Sequence, residues 1–256
     1  MQIITLTTDF GTRDWFVGTM KGVILGIAPQ AIIVDLTHEI PAGDIRAGAF
    51  ALAAGCRFFP KGTVHVAVVD PGVGGARKTI AVQTANCFFV GPDNGVLSWA
   101  LAKEKIKSVC WLENADYFLR PVSHTFHGRD IFAPVAAHLS CGTSIRKFGP
   151  AQKDFIRLPW PQARARRNRI EGEVVFTDRF GNAITNIENT DFDKRGQVEV
   201  FLGRKRLCRV KAFYQSGPAG QAVAVPGSSG FLEIALNGGS AVKRFGLKIG
   251  DRICVH

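Results

Sequence analysis

The chain has no uninterrupted apolar run of about 18 residues, the length that a membrane-spanning helix needs. Its N-terminal stretch, MQIITLTTDFGTRD, lacks the basic start and the long apolar segment of a secretory signal. We therefore expect a cytoplasmic protein that makes no membrane contact.

Metal-binding and disulfide motifs are also lacking, because no C-x-x-C pair and no Cys/His cluster occurs. We expect the cysteines to be reduced and mostly buried as small apolar side chains, and we expect no metal site. The six cysteines are widely scattered: Cys56, Cys87, Cys110, Cys141, Cys208 and Cys254.

Acidic residues are outnumbered, since 32 Lys and Arg stand against 21 Asp and Glu for a net charge of +11. Such a balance favours contact with nucleic acid or another polyanion. Part of the excess is local and lies in the run PQARARRNRIEG, at Arg164, Arg166, Arg167 and Arg169. No helix-turn-helix, zinc-finger or aromatic RNA-binding motif accompanies the run, so a solvated linker is the preferred interpretation and nucleic-acid binding the minor one.

The composition is that of a folded protein, with 46% hydrophobic and 21% charged residues over 256 positions. That length corresponds to one large or two modest domains. Residues 1–158 alternate apolar strands with helical periods, which predicts a layered α/β domain with a mostly parallel sheet. Asp44 is the expected N-cap of the second helix.

The pattern changes after residue 158. Two prolines and the arginine run predict a linker over residues 159–169. Residues 170–256 then contain only short strands separated by glycine-rich turns, which predicts a small β-barrel domain.

Polar residues cluster where the predicted strands end, and ligands bind at such ends in open α/β sheets. Asp9 closes the first strand and Asp14 follows it. Asp70 closes the third strand in VVDPGVGGAR, and Arg77 follows seven residues later. Each aspartate could instead be an ordinary turn former or helix cap.

Histidines provide a possible acid–base group. The run SHTFHGRD places His124 and His127 before a predicted helix. His65 and His138 fall on apolar faces and are expected in the core, whereas His38 is undecided. Because G-x-S-x-G, a plausible nucleophilic cysteine and a metal cluster are all missing, the pattern favours attack by a positioned water over covalent catalysis. The glycine-rich GVGG does not match the Rossmann or P-loop spacing, so a phosphate-binding loop is disfavoured.

Two later segments offer binding groups. In TDRFGNAITNI, the Phe-Gly-Asn sequence could present an aromatic face and an amide to a flat heterocycle, or could simply form a turn with a packed Phe. The second segment is PGSSGFLEIALNGGSA, whose polar residues include Ser228, Ser229, Glu233 and Asn237.

Six motifs in order resemble those of the S-adenosyl-L-methionine (SAM) hydroxide adenosyltransferases, which are relatives of the SAM-dependent fluorinase and chlorinase. The motifs span nearly the whole chain and are TTDFG, VVDPGVG, GPDNG, TFHGRD, DRFGN-x-x-TN and SSGFLEIALN-x-G-SA. The resemblance implies an N-terminal α/β domain and a C-terminal β-barrel. It also implies a homotrimer whose active sites lie between the N-terminal domain of one subunit and the C-terminal domain of another.

The reaction that the resemblance implies is attack of water or hydroxide on C5′ of the SAM ribose, giving adenosine and L-methionine. SAM is then the substrate, and no cofactor is expected. The matching catalytic set is Asp70, Arg77 and His127. Asp70 would polarise or deprotonate the water, while the other two position it.

The remaining positions that match the family are expected to bind substrate. Asp9 would accept the ribose hydroxyls, and Thr125 and Phe126 flank the reacting centre. Phe180, Asn182 and Asn237 would hold adenine, and Asp178, Ser228 and Ser229 would bind the methionine part. Asp14 completes the expected set. Gly43 and Leu236 stand where halogenating relatives carry tryptophan and arginine.

Other functions remain as alternatives at this point. The retained Asp70, Arg77 and His127 disfavour a halogenase, since halogenating relatives replace the Asp and His. A non-catalytic SAM- or adenosine-binding protein would show tight adenosine binding without turnover.

Overall fold

The computed structural model describes residues 2–166, 169–192 and 197–256. The chain separates into two units, of which unit 1 ends at Leu158 and unit 2 begins at Pro159. Each unit has its own hydrophobic core.

Unit 1 is built on a mixed sheet. Among the described residues it has seven strands in the order β2-β1-β3-β5-β4-β6-β7. The strands are β1 (Ile3–Thr8), β2 (Ile32–Thr37), β3 (Val64–Val68), β4 (Thr79–Thr84), β5 (Phe88–Pro92), β6 (Ile106–Trp111) and β7 (Ala151–Gln152). β2, β1, β3 and β5 run parallel, and β4, β6 and β7 extend the sheet through antiparallel pairs. The α/β class is confirmed, but the sheet is less parallel than predicted because β6 and β7 continue the predicted β4–β5 hairpin.

Helices cover the parallel part of the sheet, and every residue of β1 and β3 is buried. α1 and α4 pack with Ile4 and Leu6 of β1 in the main core of unit 1. As predicted, the Asp44 side chain caps α2 by accepting from the Ala47 N–H at 2.9 Å. No helix in the described residues is long and apolar enough to cross a membrane. The helices of unit 1 are α1 (Phe16–Ile27), α2 (Ile45–Cys56), α3 (Ser98–Leu101) and α4 (Ala133–Ser140).

Unit 2 is a nearly closed barrel of antiparallel strands. Its order is β12-β11-β15-β9-β10-β14-β13, with β8 paired to β9, and a bridge between Val210 and Ala224 links the two ends. The strands are β8 (Arg164–Arg166), β9 (Arg169–Thr177), β10 (Ala183–Glu188), β11 (Glu199–Leu202), β12 (Lys205–Arg209), β13 (Ala222–Pro226), β14 (Phe231–Leu236) and β15 (Arg252–Val255). A short helix, α5 (Ala241–Phe245), precedes β15.

The arginine run is partly β-structure rather than a free linker. Arg164–Arg166 form β8, which pairs with the start of β9. Glu171 lies 2.6 Å from Arg169 and 3.8 Å from Arg166, so one carboxylate offsets two of the guanidinium groups. The prediction for Arg167 falls outside the described residues.

The cysteines largely follow the prediction. All six are free thiols, and Cys56, Cys87, Cys110 and Cys208 are buried. Burial raises the pKa of the Cys208 thiol to about 12, which keeps it protonated and unreactive. Cys141 is the exception, because it is exposed just after α4.

Candidate functional site

The candidate site of unit 1 lies at the carboxyl ends of the parallel strands. Asp9 directly follows β1, and Asp70 comes two residues after β3, the neighbouring strand. This is the edge at which the sequence placed both carboxylates, and it is where loops are free to carry ligand-binding groups.

Asp70, Arg77 and His127 form a continuous hydrogen-bonded chain. The Arg77 Nε donates to Asp70 Oδ1 at 2.9 Å, and Arg77 Nη2 donates to Asp70 Oδ2. The second hydrogen of Nη2 points to His127 Nδ1, 2.8 Å away. The side chains of Asp70 and Arg77 are only 4% and 11% exposed, so the pair is well shielded from solvent. The structure thus brings together three residues whose first and last members lie 57 positions apart in the sequence, at 70 and 127.

The contact with Arg77 fixes the protonation of His127. A guanidinium can only donate, so Nδ1 must be the acceptor and the hydrogen of a neutral ring sits on Nε2. Burial and the neighbouring Arg77 charge lower the pKa of His127, and the charges of Asp70 and Asp130 only partly oppose this. His127 is therefore neutral at physiological pH.

The glycine-rich loop after Asp70 packs closely against the histidine segment. Gly74 has a φ of +76°, and a Cβ placed there would lie 2.1 Å from the carbonyl oxygen of His124. Only glycine allows both the left-handed backbone and this close approach. The Gly74 contact therefore positions the Asp70 loop against the segment that carries His127.

Replacing Gly74 with alanine is expected to disrupt this contact. Gly142→Ala is the matched control, because Gly142 also has a positive φ, +89°, but a Cβ added there would meet no other described atom within 4 Å. Both variants carry the left-handed strain of about 1–2 kcal/mol, and only Gly74→Ala adds the clash. We expect Gly74→Ala to melt several degrees below Gly142→Ala and to lose most of its activity. Equal melting temperatures and activities in the two variants would contradict this role of Gly74.

Asn94 supports the same loop, and the sequence did not single it out as a site residue. Its Nδ2 donates to the Val69 carbonyl at 2.8 Å, directly before Asp70, and its Oδ1 accepts from the Val96 N–H. The signal was present, because Asn94 lies in the quoted motif GPDNG. We therefore add Asn94 as a residue that holds Asp70 in place.

Asp9 is tied to the loop before α2. Its Oδ2 accepts the Gly43 N–H at 2.8 Å, which leaves its other oxygen available. Asp14 is exposed in the bend between β1 and α1. His38 is buried and shares a 2.8 Å hydrogen bond with Thr8, so it supports the end of β1.

An aromatic cluster joins the end of β1 to the segment before His127. The ring of Phe126 lies 5.8 Å from that of Phe10 and 5.2 Å from that of Phe16. Phe126 is thus a packing residue that brings Asp9 and His127 to the same end of the sheet. Thr125 is exposed, and its hydroxyl is 3.0 Å from that of Ser123.

The motif DRFGN forms a tight turn in unit 2. The Asp178 carboxylate accepts the Asn182 backbone N–H at 2.8 Å and the Asn182 Nδ2 at 2.9 Å. Phe180 stands at the tip and is 78% exposed, so the expectation of a packed Phe is wrong within this unit. A cavity of about 280 Å³ lies beside the turn, lined in part by Asp178 and Phe180.

Glu233 adjoins this turn and was not assigned a role from sequence. It is only 5% exposed, and its Oε1 accepts the Tyr214 hydroxyl at 2.7 Å. Burial and the charge of Asp178 raise the pKa of Glu233, while hydrogen bonds from Tyr214 and Asn182 act against the shift. The available signal was one acidic residue inside the apolar run FLEIAL.

The serine turn of unit 2 contains unsatisfied polar atoms. The hydroxyl of Ser229 and the Oδ1 of Asn189 are buried and have no hydrogen-bond partner among the described residues. Asn189 Nδ2 donates to Gly227, so both atoms lie at the turn between β13 and β14. Ser228 is exposed on the same turn. Buried polar atoms are normally hydrogen-bonded, so each of these two leaves a donor or an acceptor unpaired at this turn.

Asn237 follows β14 and is held by the loop before β13. Its Nδ2 donates to the Gly217 carbonyl at 2.8 Å, and its carbonyl accepts the Gly220 N–H at 2.8 Å. Its Oδ1 is not involved in these bonds. Asn237 thus fixes the loop and keeps a side-chain acceptor.

His65 and His138, which were expected in the core, pack within unit 1, whereas His124 is exposed. His65 is fully buried and bonds to Thr5 at 2.8 Å, and burial lowers its pKa to about 4. His138 is half-buried against the Tyr117 ring. Within the described ranges, no group of three or more His, Cys, Asp or Glu side chains is arranged to hold a metal ion.

Comparison with protein families gives two matches that follow each other along the chain. Residues 4–149 match the SAM hydroxide adenosyltransferase N-terminal domain, and residues 172–254 match the corresponding C-terminal domain. The resemblance drawn from the six motifs is thereby confirmed.

Individual relatives agree with these matches. A protein named (R)-S-adenosyl-L-methionine hydrolase from Salinispora tropica is 38% identical over 98% of this chain and 97% of its own length. The protein of the same name from Thermus thermophilus is 39% identical over 98% of both chains. A fluorinase from an Actinoplanes species is more distant, at 27% identity over 99% of this chain and 97% of its own.

Solved structures show the same architecture. The crystal structure of a conserved protein from Thermotoga maritima superposes with a TM-score of 0.93, at 38% identity and 99% coverage of both chains. The two family matches, the full-length relatives and this superposition agree, and the chain belongs to the SAM hydroxide adenosyltransferase family.

Proposed function

We propose that the protein hydrolyses SAM to adenosine and L-methionine by attack of water on C5′ of the ribose. The observation that carries the proposal is the part-buried hydrogen-bonded chain from Asp70 through Arg77 to His127, in a member of this family. The reaction consumes one SAM and one water and releases one proton, so it balances without a cofactor.

The chemistry makes its main demand on the nucleophile. Methionine leaves as a neutral thioether when the C5′–S bond of the sulfonium breaks, so the leaving group needs no proton. Water is a weak nucleophile, and it must be aligned with that bond and lose its proton. A carboxylate near a fixed donor and a fixed neutral imidazole can do both.

The three residues divide this work. Both oxygens of Asp70 accept from Arg77, and each keeps a lone pair with which to hold or deprotonate a water. Arg77 fixes the orientation of the carboxylate and of the His127 ring. His127 has its Nε2–H free for donation to the water or to the substrate because its Nδ1 accepts from Arg77.

The remaining family positions would hold the substrate. In unit 1, one Asp9 oxygen accepts from Gly43 and the other remains for the ribose hydroxyls. Asp14, five residues after Asp9, and Thr125, two residues before His127, are both exposed. In unit 2, the exposed Phe180 ring, Asn182 and Asn237 would bind adenine. The methionine part would bind Asp178 and the serines at 228 and 229, where the buried Ser229 hydroxyl has no partner among the described residues.

We also propose that the enzyme is a homotrimer in which unit 1 of one copy and unit 2 of another complete each site. The support is the family's assembly and the presence of binding groups on both units. Sedimentation combined with an activity assay at the same concentration tests this. A fully active monomer would rule the shared site out.

The names of the relatives specify the R configuration at the sulfonium centre. The sulfonium is pyramidal, and inversion would exchange the directions of its methyl and aminocarboxypropyl groups. We therefore propose (R)-SAM as the substrate of this chain as well.

Product analysis with each epimer tests the proposed function directly. Incubation with purified (R)-SAM is expected to give adenosine and methionine in equal amounts, with no dependence on added chloride. Tight adenosine binding without any turnover would favour the non-catalytic alternative. A 5′-halogenated nucleoside as product would favour the halogenase.

The pH dependence of turnover is expected to report on His127. Its pKa is lowered, so the neutral ring that accepts from Arg77 persists above that pKa and is lost as pH falls through it. Activity should therefore decline on the acid side with a midpoint below the ordinary histidine value. His127→Asn places an amide oxygen near the Nδ1 position and cannot titrate, so it should keep a reduced activity without this limb. An unchanged acid limb in His127→Asn would assign the titration to another group.

A further inference from the structure

His38 is a buried polar residue whose contacts the proposed reaction does not use. It is only 3% exposed and lies directly after β2, the strand that pairs with β1. The sequence pattern left its role undecided. Burying an imidazole is costly unless its nitrogens find polar partners, so the position of those partners indicates what the residue does.

The His38 ring connects the end of β1 to a charged pair. Its Nδ1 lies 2.8 Å from the Thr8 hydroxyl oxygen, and its Nε2 lies 3.1 Å from Asp35 Oδ1. A carboxylate at that distance favours a hydrogen on Nε2, so Nδ1 accepts the hydrogen of the Thr8 hydroxyl. The other oxygen of Asp35 accepts from the Lys21 ammonium of α1 at 2.6 Å. The ring is therefore held in one orientation on the side away from Thr8.

The same histidine holds the chain on both sides of Asp9. Thr8 precedes Asp9, and its hydroxyl donates to the His38 ring while it accepts the Phe10 N–H at 3.2 Å. Gly11 follows Asp9 by two residues, and its N–H donates to the His38 carbonyl at 2.7 Å. Asp9 thus lies between two residues that are both bonded to His38.

We propose that His38 is a positioning residue that aims the Asp9 carboxylate at the two hydroxyls of the ribose. Recognition of a diol needs acceptor oxygens at fixed positions, because a hydrogen bond weakens steeply as its angle departs from linear. The Gly43 N–H binds one Asp9 oxygen, and His38 fixes the backbone from which that carboxylate extends. The inference rests on the proposed function and extends it by assigning the preference for an intact ribose to a buried residue behind Asp9.

Substitutions at both ends of the Thr8–His38 bond test the proposal. His38→Leu keeps a similar bulk and removes both ring nitrogens, whereas His38→Asn restores an acceptor near the Nδ1 position. Thr8→Val keeps the branched shape and removes the hydroxyl. The measurements are the dissociation constants of adenosine and of 2′,3′-dideoxyadenosine, which lacks both of the hydroxyls that Asp9 would accept, together with the melting temperature.

His65→Leu is the matched control. His65 is also a buried histidine of unit 1, and its Nδ1 also lies 2.8 Å from the hydroxyl oxygen of a β1 threonine, Thr5. Thr5 lies four residues before Asp9, roughly 13 Å away at the rise of an extended strand. Loss of this bond should leave the preference for adenosine over dideoxyadenosine within about twofold of wild type, since distant sites act independently.

Wild-type protein is expected to bind adenosine more tightly than dideoxyadenosine. His38→Leu and Thr8→Val should each lower adenosine affinity about tenfold, as expected when hydrogen bonds to a charged group are weakened, and change dideoxyadenosine affinity by less than about twofold. His38→Asn should recover part of the adenosine affinity that His38→Leu loses. A merely structural role of His38 would weaken the binding of the two nucleosides equally.

Equal weakening of both nucleosides in His38→Leu would overturn the proposal, and so would an equal loss of preference in His65→Leu. If His38→Leu does not fold, Thr8→Val decides alone, because an unchanged preference there refutes the role of His38 and a loss of the preference supports it. Wild-type protein that hydrolyses SAM but binds the two nucleosides equally would refute the role of His38 and leave the proposed function standing. Wild-type protein that neither binds nor hydrolyses SAM would refute the proposed function itself, and this inference with it.

Discussion

Replacing Asp70 with asparagine is expected to lower kcat by about 10²–10⁴-fold, while SAM binding changes by less than threefold. Asparagine has nearly the same shape and keeps one oxygen for Arg77. It carries no charge and cannot take a proton from water. The loss should therefore fall on the chemical step, and it is measured by single-turnover kinetics together with calorimetric binding of SAM.

Asp116→Asn is the matched control for this substitution. Asp116 is also an aspartate of unit 1 that pairs with an arginine, Arg120 at 3.0 Å, but its side chain is 81% exposed. A surface pair of this kind contributes little to stability, so wild-type kinetics are expected. Wild-type turnover in Asp70→Asn would show that Asp70 is not the group that activates water.

Replacing Arg77 with lysine is the second substitution with a large expected effect. Arg77 uses Nε and Nη2 on the two Asp70 oxygens and a further Nη2 hydrogen on His127. A lysine ammonium is a compact group that cannot reproduce this planar set of contacts. We expect kcat to fall about 100-fold, because the nucleophile is no longer held in line with the C5′–S bond.

Stability should also fall in Arg77→Lys, by about 1–3 kcal/mol, because buried acceptors on Asp70 and His127 lose their donors. Arg120→Lys is the control, since Arg120 also bonds a carboxylate and a carbonyl but is exposed. Urea denaturation and steady-state kinetics of both variants check the prediction. An Arg77→Lys enzyme with wild-type kcat would show that charge alone suffices and that the bridge to His127 has no role.

Much of the fold could be predicted because local signals agreed with tertiary structure. In unit 1, the spacing of Val17, Met20 and Ile24 gives one apolar face, and the helix they predict packs there. Asp44 is a cap by sequence and by geometry. The antiparallel part of the sheet could not be predicted in full, because an apolar run does not specify the direction in which a strand pairs. β6, for example, pairs antiparallel with β4.

The candidate site could be predicted as a set of residues but not as a network. The end of β3 indicated Asp70, and the family motifs indicated Arg77 and His127. That Arg77 lies between the other two depends on long-range packing at Gly74, which no local pattern specifies. Glu233 shows the same limit, because its hydrogen-bond partner Tyr214 comes from another part of unit 2.

The central claim is that water attacks carbon C5′, and hydrolysis of (R)-SAM in ¹⁸O-labelled water tests it most directly. Mass spectrometry of the products is expected to show one ¹⁸O in the 5′-hydroxyl of adenosine and none in methionine. A label in methionine, or adenosine formed without label, would place the bond cleavage elsewhere and contradict the roles given to Asp70, Arg77 and His127.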